Sequence, residues 1–365
     1  MARRAPIAAG ALVFLAASAL HGHDVGITVT YGSRSQTSFR VLAGEASSKP
    51  VYESGLSDPI NEDWDTILIE GLLPEPSIQF YASIAAAPSR WQKLALKRFT
   101  NGRFWAKTRM PSSRDRVLLR AVGTGAGVDH DVVLYRVEVF KDASLTKEPE
   151  PTPPIDVPRG PLDPQAPAPA MSSRQDWNAA PPKEPYTPDL LPWRITLHHS
   201  AGRVTSSLPE TLAEVRFIQD LHQNGRGWND IGYHYVVDPM GNILEGRPLG
   251  SLGAHTFSNN SGNVGIVMLG DYQGVRNDFP TQAQIESLTK VGRFLIARFG
   301  ISPALLRGHR DYRTTQCPGD RLYVALDFLR AACAPAPIAL DETDGRNAQR
   351  LPFDRRINPR SWRVP

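Results

Sequence analysis

The chain has 365 residues, of which 32 are proline, 29 are glycine and two are cysteine, and its formal net charge is +4. This length predicts two folded domains at about 100–200 residues each. An apolar share of 41% excludes a wholly disordered chain, glycine without a period excludes collagen, and two cysteines exclude a disulfide scaffold. No segment interleaves clustered Lys and Arg with aromatic residues, so we expect no nucleic-acid partner.

The first 23 residues have the pattern of a secretory signal peptide. Arg3 and Arg4 precede an apolar run at 5–20, and residues 17–19 form a small-x-small cleavage site. The run is short for a membrane span, which needs about 20 residues. We expect residues 1–23 to be cleaved, which leaves an exported protein, periplasmic or extracellular, with no stable membrane anchor. The alternative is an anchor that is never removed.

Proline is concentrated in one stretch of the chain. Nine prolines lie at 149–170, and because proline fixes φ and removes a backbone donor, this segment is predicted to be an extended spacer. The chain is therefore divided into a β-rich domain at 24–145, a linker at 146–170, a second domain at 171–334 and a tail containing proline and arginine at 335–365.

The N-terminal domain has the pattern of an all-β, sandwich-like fold, with short strands separated by turn residues. Residues 131–140 alternate along a strand. One predicted face of that strand consists of Val133, Tyr135, Val137 and Val139. The opposite face carries Arg136 and Glu138.

The tryptophans of this domain, Trp64, Trp91 and Trp105, are predicted to be packing residues, with a sugar-stacking platform as the alternative. No cluster of reactive side chains assigns the domain a function.

The second domain mixes strand and helix periods. Strands are predicted at 193–198, 232–238, 243–245 and 264–269. Helices are predicted to begin at Ser207 and Thr281, because each is followed three positions later by Glu or Gln as in a capping box. Gly300 is expected to end the second helix, and a last helix is predicted at 321–332. The pattern predicts an α/β fold with a mixed central sheet flanked by helices.

Two places in this domain can carry metal chemistry. His198 and His199 end a strand, where only one of two neighbours can face a given site. His309 and Cys317 lie eight residues apart across a polar loop. With a third histidine they would leave one zinc position open for water, which is the catalytic arrangement. The alternatives are hydrogen-bonded buried histidines and an inert cysteine.

The segment GWNDIGYHY at 227–235 is the third notable place. On a strand, Tyr233 and Tyr235 would share one face and His234 would lie on the other. A phenol near a metal-bound water can donate a hydrogen bond to a developing oxyanion. Taken alone, an aromatic strand of this kind is more typical of a core.

Together these motifs resemble one family, the zinc-dependent N-acetylmuramoyl-L-alanine amidases of type 2, which share their fold with the peptidoglycan recognition proteins. The similarity runs from Ser173 to Cys333, under half of the chain. In chain order the motifs are LHHSA, GWNDIGYHYVV with the downstream GNILEGR, GAH at 253–255, NSGNVGIVMLGDY at 260–272 and GHRDYRTTQCPG at 308–319.

The resemblance implies that His198, His309 and Cys317 bind zinc (Zn2+). The cysteine favours a catalyst, because family members that bind peptidoglycan without cleaving it commonly lack this ligand. Tyr233 matches the tyrosine beside the metal, expected to orient water or stabilise the oxyanion. Thr315 matches a position that is lysine in some phage amidases. Threonine can donate a hydrogen bond there but cannot act as a cationic acid.

The resemblance also implies a substrate. His255 and Trp228 are expected to contact a peptidoglycan or muropeptide substrate in a groove. The expected reaction is hydrolysis of the amide between the lactyl group of N-acetylmuramic acid and L-alanine of the stem peptide, and the alternative is a non-catalytic peptidoglycan-binding module. With Cys317 on zinc, Cys333 has no disulfide partner. The sequence does not give the oligomeric state.

Overall fold

The computed structural model describes residues 26–32, 36–44, 46–142, 159–273 and 278–335. The predicted signal peptide, residues 146–158 of the predicted linker and the tail beyond residue 335 lie outside the described residues. Within the described part, no helix is long and apolar enough to cross a membrane. The described residues before position 335 belong to one compact unit.

The N-terminal part consists of two antiparallel sheets. Its strands are β1 (Ile27–Thr28), β2 (Thr37–Val41), β3 (Ala46–Glu53), β4 (Trp64–Leu72), β5 (Ile78–Ile84), β6 (Gln92–Lys93), β7 (Ala95–Arg98), β8 (Arg103–Ser113), β9 (Val117–Thr124) and β10 (His130–Phe140). One sheet has the order β1-β10-β4-β8-β7, with β2 also paired to β10, and the other has the order β3-β9-β5-β6. The two sheets share one apolar core, in which Phe80 and Phe104 stack at 5.1 Å between ring centroids. The predicted all-β sandwich is confirmed.

Strand β10 differs from its predicted alternation. A register shift between Leu134 and Arg136 interrupts its pairing with β4. Such a bulge reverses the parity of the side chains that follow. The core face is therefore made of Val132, Leu134, Val137 and Val139. The prediction that Val133 and Tyr135 share the face of Val137 is wrong for this reason.

The C-terminal part is a mixed sheet with helices on both faces, as predicted. Its strands are β11 (Arg194–His199), β12 (Tyr235–Val237), β13 (Ile243–Glu245), β14 (Asn263–Met268) and β15 (Leu306–Gly308). The sheet order is β13-β12-β14-β11-β15, and every pairing is parallel except β12 with β13. The helices are α1 (Leu208–Asp220), α2 (Gln282–Phe299), α3 (Asp320–Tyr323) and α4 (Leu326–Cys333). A π-helical turn (Leu221–Gly225) extends α1, and short 3-10 turns cover Pro303–Leu305 and His309–Asp311.

Successive side chains along the sheet strands point to opposite faces, and the helices pack on both faces. On β14, Ile266 and Met268 join the core that contains α2 and α4, whereas Val267 joins the core that contains α1. A strand buried on both faces is typical of parallel sheets. The sheet is thereby packed between helices on both faces, and the ends of its strands lie at the edge of this packed layer.

The helix ends follow their predicted chemistry. Ser207 caps α1 by accepting a hydrogen bond from Glu210 N, and Thr281 forms a full capping box with Gln284. Gly300 ends α2 in the left-handed region, with φ of 61°. The predicted last helix is instead divided into α3 and α4.

The second half of the predicted spacer lies against the C-terminal part. Gly160 N donates to Gly300 O at 2.8 Å and Asp163 N donates to Ala297 O at 2.8 Å. Residues 159–170 are therefore tied to the end of α2. The domain boundaries predicted within 143–158 stay predictions, because those residues are not described.

Candidate metal centre

Three side chains converge where parallel strands of the C-terminal sheet end. His198 is near the end of β11, and His309 follows β15 directly. Because β11 and β15 are parallel neighbours, their carboxyl ends lie at the same edge of the sheet. Cys317 reaches this edge from the loop before α3.

The structure brings the three predicted metal ligands together. Their ligand atoms all lie within 4.8 Å of one another. Cys317 Sγ is 3.5 Å from His198 Nδ1, and the imidazole centroids of His198 and His309 are 4.6 Å apart. His199 points to the other face of β11, where it contacts Asp271 and Tyr272.

His309 carries the clearest sign that an ion belongs here. Its Nε2 is buried and has no hydrogen-bond partner among the described residues. An unpartnered buried polar atom costs about 1–3 kcal/mol. A cation at this position would remove that cost, because imidazole nitrogen is a good ligand for zinc.

A chain of hydrogen bonds selects the tautomer of His198 that can bind a metal. Asn263 O is an acceptor only, so His255 Nε2, 3.0 Å away, carries the proton. His255 Nδ1 then accepts from His198 Nε2 at 3.0 Å, and the Thr256 hydroxyl lies 2.9 Å from the same nitrogen. This leaves the lone pair of His198 Nδ1 facing Cys317. Such partners commonly fix the orientation of a metal-binding histidine.

Burial sets the protonation of the cluster. It lowers the pKa of His198 well below its ordinary value and that of His309 to about 4, so both imidazoles are neutral. Burial also raises the pKa of the Cys317 thiol to about 12. A bound divalent cation reverses that effect, because the thiolate is the ligand form. Two neutral imidazoles and one thiolate are consistent with a zinc site.

Tyr233 and Thr315 lie beside the three ligands. The Tyr233 ring centroid is 5.2 Å from that of His198. Burial, followed by the neighbouring Cys317, raises the pKa of Tyr233 to about 12, so its phenol keeps its proton. Thr315 Oγ1 accepts a hydrogen bond from Cys317 N at 3.2 Å. The pairing of Tyr233 and Tyr235 on one strand face is not formed, because β12 begins at Tyr235.

The two residues predicted to contact substrate differ in exposure. Trp228 is half-buried, with its ring 4.5 Å from His222 between centroids. His255 is only 5% exposed and lies beneath His198. Their substrate contacts stay predictions, whereas the hydrogen bond of His255 to His198 is a role that the motif did not suggest.

The sequence interpretation also missed two neighbours of Tyr233. His222 accepts a hydrogen bond from Gly232 N at 3.0 Å, and Arg136 of the N-terminal part reaches the same region. His222 belongs to no motif that we recognised. Arg136 and Glu138 did carry a signal, since these two opposite charges interrupt the otherwise apolar stretch at 132–140.

Comparisons with known proteins agree with this site. Residues 188–320 match the family model described as N-acetylmuramoyl-L-alanine amidase. Peptidoglycan-recognition protein LB of Drosophila melanogaster is 33% identical over 193 residues, which cover 52% of this chain and 80% of the relative. The N-acetylmuramoyl-L-alanine amidase of Sus scrofa is 32% identical over 191 residues, which cover 51% of this chain but only 31% of that relative.

A solved structure also matches the chain. It is peptidoglycan recognition protein-LE in complex with tracheal cytotoxin, a monomeric diaminopimelic acid-type peptidoglycan. The identity is 29%, the match covers 44% of this chain and 93% of that one, and the TM-score is 0.40.

Proposed function

Because the chain belongs to the family of N-acetylmuramoyl-L-alanine amidases and peptidoglycan recognition proteins over residues 188–320, we propose that it is a zinc-dependent amidase. It hydrolyses the amide between the lactyl group of N-acetylmuramic acid and L-alanine of the stem peptide. The observation that carries the proposal is the complete ligand set His198, His309 and Cys317, in which the buried His309 Nε2 has no hydrogen-bond partner in the described part of the chain.

The residues of the site have distinct roles in this reaction. His198, His309 and Cys317 would hold the zinc ion, which would supply a Lewis acid and lower the pKa of a water towards neutrality. Tyr233, protonated and beside His198, donates a hydrogen bond to the carbonyl oxygen as it gains negative charge. Thr315 holds the backbone of Cys317 and so fixes the position of the sulfur.

The substrate class and the location belong to the same proposal. Peptidoglycan as the substrate class is supported by the names of two relatives, a peptidoglycan-recognition protein and an N-acetylmuramoyl-L-alanine amidase. Export to the periplasm or beyond is supported by the signal-peptide pattern at 1–23, and it would bring the protein to this substrate. Secretion is tested by N-terminal sequencing of the protein recovered outside the cytoplasm.

The two cysteines offer a matched test of the catalytic proposal. Cys317→Ala removes a zinc ligand and should abolish both zinc retention and release of stem peptide from a muropeptide. Cys333→Ala, which alters a buried side chain packed near α2, should keep both. Undiminished release by Cys317→Ala would contradict the ligand assignment. Muropeptide binding without release by the wild type would instead favour the recognition-module alternative.

A further inference from the structure

The N-terminal β part is docked on α1 and on the turn that follows it. Leu68 and Phe140 of the β part belong to the same apolar cluster as the inner face of α1. The Phe99 and Phe217 rings meet edge-on, with centroids 5.3 Å apart. Trp105, expected to be a packing residue, lies at this junction and donates from Nε1 to Asp220 at 2.9 Å.

Buried ion pairs fix this docking. Arg103 of β8, 1% exposed, lies 2.8 Å from Glu70 and 3.0 Å from Glu214 of α1. Arg226, which follows the π-helical turn, donates from Nη2 to both carboxylate oxygens of Glu138 at 2.7 Å. Buried pairs of this kind are costly to break by losing one partner. The β part therefore has one defined orientation on the C-terminal part.

Arg136 is the member of this charged cluster that is least paired. Its guanidinium lies 3.4 Å from Glu138 and 3.8 Å from Glu70, looser than the other pairs. Nη2 donates to Ser200 O at 3.1 Å, directly after the strand that carries His198. Arginine has five N–H donors, and the side chain is 22% exposed. Among the described residues, two acceptors receive hydrogen bonds from Arg136: Glu138 Oε1 from Nη1, and Ser200 O from Nη2.

Arg136 also lies close to Tyr233, the residue beside the three ligands. It lines one small cavity together with Tyr233, Ser200 and His222. Burial is the largest influence on the pKa values of Cys317 and His309, and the positive charge of Arg136 lowers both values. This cation comes from outside the family match, which begins at residue 188. Thr315 supplies no charge at the position that is lysine in some related amidases.

We propose that the N-terminal β part forms one wall of the substrate site and that Arg136 is a specificity-determining residue that binds a carboxylate of the muropeptide. This inference rests on the proposed function for its choice of ligand. Guanidinium and carboxylate form charge-assisted, often bidentate hydrogen bonds. The stem peptide offers carboxylates, and Arg136 has donors left to meet one.

The test compares an acidic substrate with a neutral one. N-acetylmuramoyl-L-alanyl-D-glutamate and its diamide differ only in their carboxylates. Calorimetric binding of each is measured to the chelator-treated full chain, and kcat and KM are measured on the zinc-loaded chain. Arg136→Met should weaken binding of the acid about 10- to 100-fold and raise its KM, with a change below about threefold for the diamide. Arg136→Lys should recover part of the loss.

A second arginine gives the control. Arg120 on β9 is partly exposed and pairs with Glu53 of the neighbouring strand β3, in the sheet that does not contain Arg136. Arg120→Met should leave both substrates unaffected. Equal losses of acid and diamide in Arg136→Met would mean that Arg136 only supports the fold, and no loss would mean that it does not touch the substrate. If the wild type cleaves neither compound, the proposed function fails, while the binding comparison still decides the role of Arg136.

Discussion

The hydrogen bond between His255 and His198 can be tested by a ring-preserving substitution. In His255→Phe a ring still fills the space beside His198, but Nε2 loses its acceptor at 3.0 Å and keeps only the Thr256 hydroxyl oxygen, 3.4 Å away. The buried His198 Nε2–H group then has only this long, weak hydrogen bond, which costs up to about 3 kcal/mol. His198 can avoid this cost by moving its proton to Nδ1, the nitrogen that faces Cys317 at 3.5 Å. That tautomer cannot bind a metal through Nδ1.

The expected consequence is weaker zinc binding. Loss of a partner that orients a metal ligand typically lowers affinity 10- to 100-fold, which is about 1.4–2.7 kcal/mol. Zinc affinity is measured by competition with a chromophoric chelator. His234→Phe is the control, because His234 is a buried neighbour of His255, with ring centroids 5.7 Å apart, but its hydrogen bonds go to Ser251 O and Gly265 N. Equal zinc affinity in the two variants would refute the argument.

Two further predictions concern turnover and acid stability. Tyr233→Phe should retain zinc, as measured by elemental analysis. Its kcat should fall about 10²- to 10³-fold, because a hydrogen-bond donor to the oxyanion is removed. Unchanged turnover would mean that Tyr233 is only a packing residue. Burial lowers the pKa of His234 to about 4. The neutral imidazole therefore makes its full contribution to the free energy of unfolding above about pH 6.5. This contribution, about 3 kcal/mol in all, is lost as the pH falls towards 4. Urea unfolding of His234→Gln should therefore depend less steeply on pH across this range, by about one proton, and an identical dependence would contradict the assignment.

Local patterns predicted the elements that begin with strong caps or carry regular periods. Ser207 and Thr281 correctly predicted where α1 and α2 begin, and Gly300 correctly predicted where α2 ends. These predictions hold because capping depends on residues that are neighbours along the chain. The three ligands were also predicted, since each lies in a motif. The bulge beside Arg136 was not predicted, because it depends on the register between β10 and β4.

The parts of the site that escaped prediction depend on contacts between distant residues. The tautomer of His198 is set through His255 by a backbone carbonyl, Asn263 O, which no side-chain pattern marks. Arg136 lies near Tyr233 only because the β part is docked on α1. A proline-rich segment between two domains suggested a spacer, and nothing in its composition indicated this docking.

Digestion of purified peptidoglycan, followed by mass analysis of the products, tests the central proposal most directly. The protein as isolated should release free stem peptides with an L-alanine amino terminus. Chelator treatment should abolish the release, and added zinc should restore it. Glycan-bond cleavage, cleavage within the stem peptide, or full release after chelation would contradict a zinc amidase built on His198, His309 and Cys317.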